Sequence, residues 1–249
     1  MMNPLRLLLV IASLFMLGAC GKNSLENYYY PIGQLSSGLV YEYINPETSE
    51  TVDYVYVQSL RDTDKQWWLV LTYYTPDFQQ YTIVKEKKLK DGTSYEDYMF
   101  LLPDSTGKLQ NYRVKIDGEK AAFPFNPPQD STTFYRFAMQ FSLPPDMDLL
   151  INFTGDRWFR GYTEHTFEGK TEQVAVFERK ERRVPHDPKV GGVWEELSTR
   201  KEYYAKGIGL VYYEKTRTDR GQQITEKQQL KARYSMDEFI KKSEGSLLQ

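Results

Sequence analysis

The chain has 249 residues, with 32 Lys and Arg against 34 Asp and Glu, for a formal net charge of −2. Both signs are interspersed along its length, and the densest basic runs, 85–90 and 179–183, read as solvated strand ends, which argues against nucleic acid as a partner. A single cysteine excludes an internal disulfide and a cysteine-built zinc site.

Before Cys20 the only charge is Arg6, followed by an apolar stretch over 7–17 and the small pair Gly18 and Ala19. A charged start, a short apolar core and a small-residue end make residues 1–19 a signal peptide, since the core falls well short of the roughly 20 residues that span a bilayer. Leu17-Gly18-Ala19-Cys20 also resembles the lipobox of bacterial lipoproteins. The resemblance implies lipidation of Cys20, which becomes the first mature residue because its thiol is the nucleophile that takes the diacylglyceryl group. Lipidation also accounts for a lone thiol in an exported chain, and each buried methylene of an acyl chain contributes about 0.8 kcal/mol to anchoring. Removal of Arg6 takes the formal charge to −3. Residues 20–30 are then the lipidated cysteine and a short tether, and 31–249 an antiparallel β domain. Gly21 is not the aspartate that resembles an inner-membrane retention signal, so the outer membrane is the default, facing either the periplasm or the outside.

Strand-forming residues recur in blocks at 39–45, 52–60, 66–74, 79–89 and 95–102, separated by turn residues such as Asn45-Pro46, Thr75-Pro76-Asp77 and Asp91-Gly92. Blocks 109–116 and 119–125 flank Asp117-Gly118, a hairpin signal. Block 67–74 is apolar on both faces and is expected to be a central or covered strand. The proline-rich stretch 123–148 is a candidate meeting point of two strand groups. Beyond it, 133–141 alternates, with Tyr135, Phe137, Met139 and Phe141 on one face and Arg136 and Gln140 on the other, and 224–234 repeats the device. A loop is expected at 184–192, containing Pro185, His186 and the pair Gly191-Gly192. Ser235-Met236-Asp237-Glu238 is a capping box that starts a short C-terminal helix. Gly38-Leu39-Val40-Tyr41-Glu42 and Gly192-Val193-Trp194-Glu195 suggest an internal duplication as one alternative. The fold class is all-β, with antiparallel strands forming a curved half-barrel or sandwich.

Residues 203–214, Tyr-Tyr-Ala-Lys-Gly-Ile-Gly-Leu-Val-Tyr-Tyr-Glu, resemble a signature of secreted TapB-like and YmcC-like bacterial β proteins. The resemblance implies two strands joined at a glycine pair within an antiparallel half-barrel, and it carries no catalytic residue across. The residues agree, because Gly207 and Gly209 bracket Ile208 and permit a sharp bend.

The chemistry is mostly negative. His165 and His186 are the only histidines; there is no His-Glu-x-x-His pair and no Gly-x-Ser-x-Gly elbow, so no metal, cofactor or catalytic residue is assigned. The leading expectation is a non-enzymatic envelope accessory or interaction module, with the membrane as partner through its lipid and an envelope protein or lipid as further partner. One alternative is a carrier of an apolar ligand such as a lipid, its cavity lined by Trp67, Leu69, Tyr135, Phe137 and Met139. Another is a carbohydrate-active enzyme built on paired carboxylates.

Overall fold

β-Branched and aromatic residues at every second position give most of the chain the period of strands with one buried face. In the computed structural model, residues 24–246 are described apart from 105, 129, 188, 190–193 and 220. Leu17, Gly18, Ala19, Cys20, Gly21 and the pair Gly191-Gly192 lie outside the described residues.

Among the described residues the strands are β1 (Leu39–Ile44), β2 (Thr51–Arg61), β3 (Trp67–Tyr74), β4 (Gln80–Lys88), β5 (Gly92–Pro103), β6 (Leu109–Arg113) and β7 (Lys115–Pro124). They continue as β8 (Tyr135–Leu143), β9 (Asp146–Phe167), β10 (Lys170–His186), β11 (Glu196–Ala205), β12 (Gly209–Asp219) and β13 (Gln222–Tyr234), before helix α1 (Met236–Ser246). Each strand pairs antiparallel with its sequence neighbour, except that β5 shares one edge between β7, at Gly92 to Ser94, and β6, at Met99 to Pro103. β13 returns to pair with β1, from Val40↔Tyr234 to Ile44↔Gln229. Twelve strands therefore close into an up-and-down barrel with β6 attached at β5. This corrects the expected half-barrel or sandwich: the first and last strands satisfy each other's edges, and a sheet that closes leaves no edge to protect. Strands on both sides of 123–148 belong to this one ring.

Two further expectations change. Asp117-Gly118 is not a hairpin but lies inside β7, where Gly118 takes a positive φ of 63° and the register against β8 slips between Ile116 and Lys120. The extra residues form a bulge instead of reversing the chain. β10 runs through Pro185 to His186, so the expected loop at 184–192 begins later. The capping box is present, with Glu238 N donating to Ser235 Oγ at 3.3 Å and Ser235 N to a Glu238 carboxylate oxygen at 2.7 Å.

The segment before β1 closes one end of the barrel. Leu25, Tyr28, Tyr29, Tyr30, Ile32 and Leu35 are all buried there, and their backbone is tied to the rim: Leu25 N donates to Phe125 O, Gly207 N to Asn27 O and Ser59 N to Leu35 O. The Tyr29 ring stacks on Phe123 with centroids 4.3 Å apart. On the outer wall α1 seats Phe239 against Tyr54, Tyr74 and Phe78. It is pinned by Lys242 Nζ, 2.7 Å from a carboxylate oxygen of the fully buried Glu42. Block 67–74 is thus apolar on both faces for separate reasons. Leu69 and Leu71 face the core, whereas Tyr74 meets α1 and Trp68 is covered by the Lys85 ammonium, 4.0 Å above its ring.

The glycine bend is where the plug docks. Gly209 has φ +105°, and a Cβ there would sit 2.4 Å from the Tyr30 ring. Gly209→Ala is expected to cost about 2–4 kcal/mol through strain and overpacking. Gly207→Ala, with φ +70° but open space around it, should cost only about 1–2 kcal/mol. Urea denaturation of the two variants reads the difference; equal costs would mean that the Tyr30 contact is dispensable.

Candidate functional site

Register places one row of cations across four adjacent strands. Arg157 on β9 pairs with Arg179 on β10, Arg179 with Arg200 on β11, and Arg200 with Lys215 on β12. Alternation turns Arg157, Arg179 and Arg200 into the barrel, where they line a cavity of about 250 Å³ above the tyrosine plug. Like charges side by side on a sheet face repel. Two glutamates on the flanking positions of the same face offset this.

Glu202 lies on the plug side of the row. Its carboxylate is 3.0 Å from Arg157 Nη2, 3.6 Å from Arg179 Nη1 and 3.1 Å from Arg200 Nε, and it accepts from the Tyr204 hydroxyl at 3.2 Å. Glu181 lies on the other side, 2.5 Å from Arg179 Nη2 and 2.9 Å from Lys215 Nζ, and accepts from Ser198 Oγ at 3.0 Å. Burial pushes both carboxyls up, but the surrounding cations outweigh it, holding Glu202 down at about 2 and Glu181 well below the usual carboxylate range.

The opposite wall carries carboxyls of the other kind. Asp53 accepts from Tyr81 Oη at 2.9 Å and Gln228 Nε2 at 3.0 Å, and burial raises its pKa in spite of them. Glu86 accepts from Tyr29 Oη at 2.7 Å and Thr93 Oγ1 at 2.6 Å, and is likewise raised by burial. Tyr98 and Tyr213 also line the space, and burial holds each phenol up at about 12, so both remain neutral hydroxyls.

Of the expected apolar lining, Phe137 and Met139 face this cavity. Leu69 is packed in the core around the plug, and Trp67 lies at its edge under the Arg61 guanidinium, 5.3 Å from its ring. Tyr135 is half-buried, with its hydroxyl donating to Asn126 O at 3.3 Å. The cavity is therefore charged as well as aromatic. One of its cations, Arg179, was hidden in the run 179–183, read as a solvated strand end; in the structure Arg179 and Glu181 are buried while Lys180, Arg182 and Arg183 are exposed. The signal was the alternation itself, which puts Phe177, Arg179 and Glu181 on one parity.

The histidines are far apart. His165 pairs with Glu172, fourteen positions along β10 from His186, about 46 Å at the strand rise. His165 packs between Tyr203 and Tyr212, centroids 5.2 and 5.0 Å away, and burial lowers its pKa.

No protein-family model and no curated protein matches the sequence. Two solved structures share the fold. One is a protein of Parabacteroides distasonis classed as a lipoprotein, at 12% identity and TM-score 0.50, with 82% of this chain and 95% of that one covered. The other is an exported protein of Bacteroides fragilis with a YmcC-like fold, at 11% identity and TM-score 0.50, covering 82% and 98%. The YmcC-like resemblance of residues 203–214 is thus met at the level of fold, with a closed ring of strands in this chain.

Glu202→Gln removes the shared counter-ion of three buried guanidiniums and is expected to cost about 3–5 kcal/mol in urea denaturation. Because Glu202 and Glu181 titrate below the ordinary value of 4.5, their contribution is present above about pH 4.5 and is lost as the pH falls toward 2. The melting temperature should drop through that window, and less steeply in Glu202→Gln; an identical pH profile in the variant would show that Glu202 is not a source of the acid sensitivity.

Proposed function

We propose that this chain is a lipid-anchored protein of the bacterial cell envelope, in the outer membrane, and that its barrel is a non-enzymatic binding module for a small ligand. The observation that carries the reading is a barrel stoppered at one end by its own N-terminal tyrosines, with a charged, aromatic cavity left above the stopper. The exported and lipoprotein descriptions of the two fold relatives support the envelope placement, as does the signal and lipobox pattern ending at Cys20.

The plug also sets the orientation. Only Gly21, Lys22 and Asn23 separate Cys20 from Ser24, a reach of about 14 Å at full extension. The stoppered end then rests against the membrane and the cavity faces away from it. At about 250 Å³ the cavity falls below the roughly 300–1,000 Å³ of pockets that hold drug-sized ligands, so the occupant is small. Three guanidiniums in its wall disfavour a bare acyl chain, because an apolar occupant would cover them without replacing their polar partners. Glu181 and Glu202 do not make a glycosidase pair with each other, because cations keep both ionised and that chemistry needs one protonated carboxyl.

Two measurements test this. Palmitate-analogue labelling in the native host should mark the protein and be abolished by Cys20→Ser; retained label would remove the anchor from the reading. Native mass spectrometry of the domain purified from an envelope-expressing host, followed by solvent extraction, should show a small co-purifying species at near-stoichiometric level. A clean apo mass under gentle conditions, with no binding in a small-molecule screen, would leave a partner-protein module in its place.

A further inference from the structure

The cations of the cavity wall are crowded together. Arg157, Arg179, Arg200 and Lys215 form one cross-strand row, and among the described residues the carboxylates in direct contact with that row are Glu202 and Glu181. Asp53 and Glu86 lie on the opposite wall, where they accept hydrogen bonds from Tyr81, Gln228, Tyr29 and Thr93 instead of from the guanidiniums. Four cations that share two contacting carboxylates suit an incoming anionic group, which adds direct partners where few are present. The guanidiniums also keep unused donors. Nε of Arg157, Arg179 and Arg200 is buried without a hydrogen-bond partner in each case; the Arg200 Nε lies 3.1 Å from Glu202 but is not aligned with it. The Arg200 plane is fixed by stacking on Tyr213, 3.8 Å from the ring centre, which presents a flat, pre-oriented fork of the kind that grips planar oxyanions.

We propose that the cavity is an oxyanion site: a small molecule bearing a carboxylate or phosphate sets that group on the Arg157, Arg179 and Arg200 row and lays its body against Tyr98 and Tyr213. The inference rests on the binding-module reading and names its ligand class. Arg157 and Arg179 are nearly inaccessible, with side chains 7% and 10% exposed, while Arg200, 20% exposed, meets the ligand at the more open side of the row and Lys215, 31% exposed, flanks it. Tyr98 and Tyr213, held neutral, donate hydroxyls without adding charge.

The test is calorimetric titration of the full chain in non-ionic detergent with phenyl phosphate, benzoate and the neutral benzyl alcohol. Saturable one-to-one binding of an anion, with none of benzyl alcohol at the same concentration, is the expected result. Tighter phenyl phosphate assigns the phosphate class, and tighter benzoate the carboxylate class. Arg200→Gln should weaken the anion at least about tenfold, or about 1.4 kcal/mol, and Arg200→Lys should restore part of the loss. Lys215→Gln is the second variant should Arg200→Gln fold poorly, and the exterior Arg136→Gln should leave affinity unchanged. Equal binding of benzyl alcohol, or an Arg200→Gln protein that binds anions as well as the parent, overturns the inference. A neutral species filling the cavity while anions do not would refute the oxyanion site and leave the binding module standing; no binding by any probe, together with a clean apo mass, would refute both.

Discussion

A ring of twelve antiparallel strands encloses more space than its own inward side chains fill; eight strands are about the number whose side chains meet in the middle. Everything distinctive in this protein follows from how that surplus is managed. At one end the lumen is filled from outside the ring, by the tyrosine-rich segment over 24–35, whose backbone hydrogen bonds to three different parts of the rim. In the middle it is held open by groups that cannot be left unpaired, and the salt-bridged row resists collapse because each guanidinium and carboxylate needs its partners in place. The two solutions meet at Tyr204, whose ring packs against Phe123 and Tyr29 while its hydroxyl donates to Glu202.

The same device appears on the outer wall with a different outcome. Glu42 is also a fully buried carboxylate, and it takes Lys242 at 2.7 Å, Lys231 at 3.3 Å, the Thr51 hydroxyl at 2.8 Å and the Tyr234 hydroxyl. Burial alone would raise it, but these partners hold its carboxyl at about 2. That cluster clamps α1 over Tyr54 and Tyr74. The inner cluster differs in having a space beside it, lined by three guanidiniums, and that contrast separates a structural clamp from a candidate binding site.

Much of the architecture was readable residue by residue. Short alternating blocks and turn residues located β1 to β5 closely, the capping box marked the start of α1, and the Gly207-Ile208-Gly209 bend is the point where the plug docks. Local chemistry failed where longer-range pairing set the outcome. Asp117-Gly118 has the composition of a hairpin, yet β6 and β7 each pair elsewhere, with β5 and β8, and the dipeptide is absorbed as a bulge. Arg179 and Glu181 looked like solvent-facing charge because their neighbours Lys180 and Arg182 are; only the pleat tells the two pairs apart.

The amino-acid sequence determined the all-β class, the antiparallel hairpin order, the helix start and the export and lipobox pattern, because each depends on residues within a few positions of one another. Tertiary structure decided closure of the ring, the stoppering of one end and the assembly of the cation row. Those depend on register between residues far apart in the chain: Val40 must meet Tyr234, Gly207 must meet Asn27, and Arg157, Arg179 and Arg200 line up only when three long strands align. A one-residue slip of β9, β10 or β11 would turn that strand's arginine to solvent, and no local pattern in the sequence records which pairing wins.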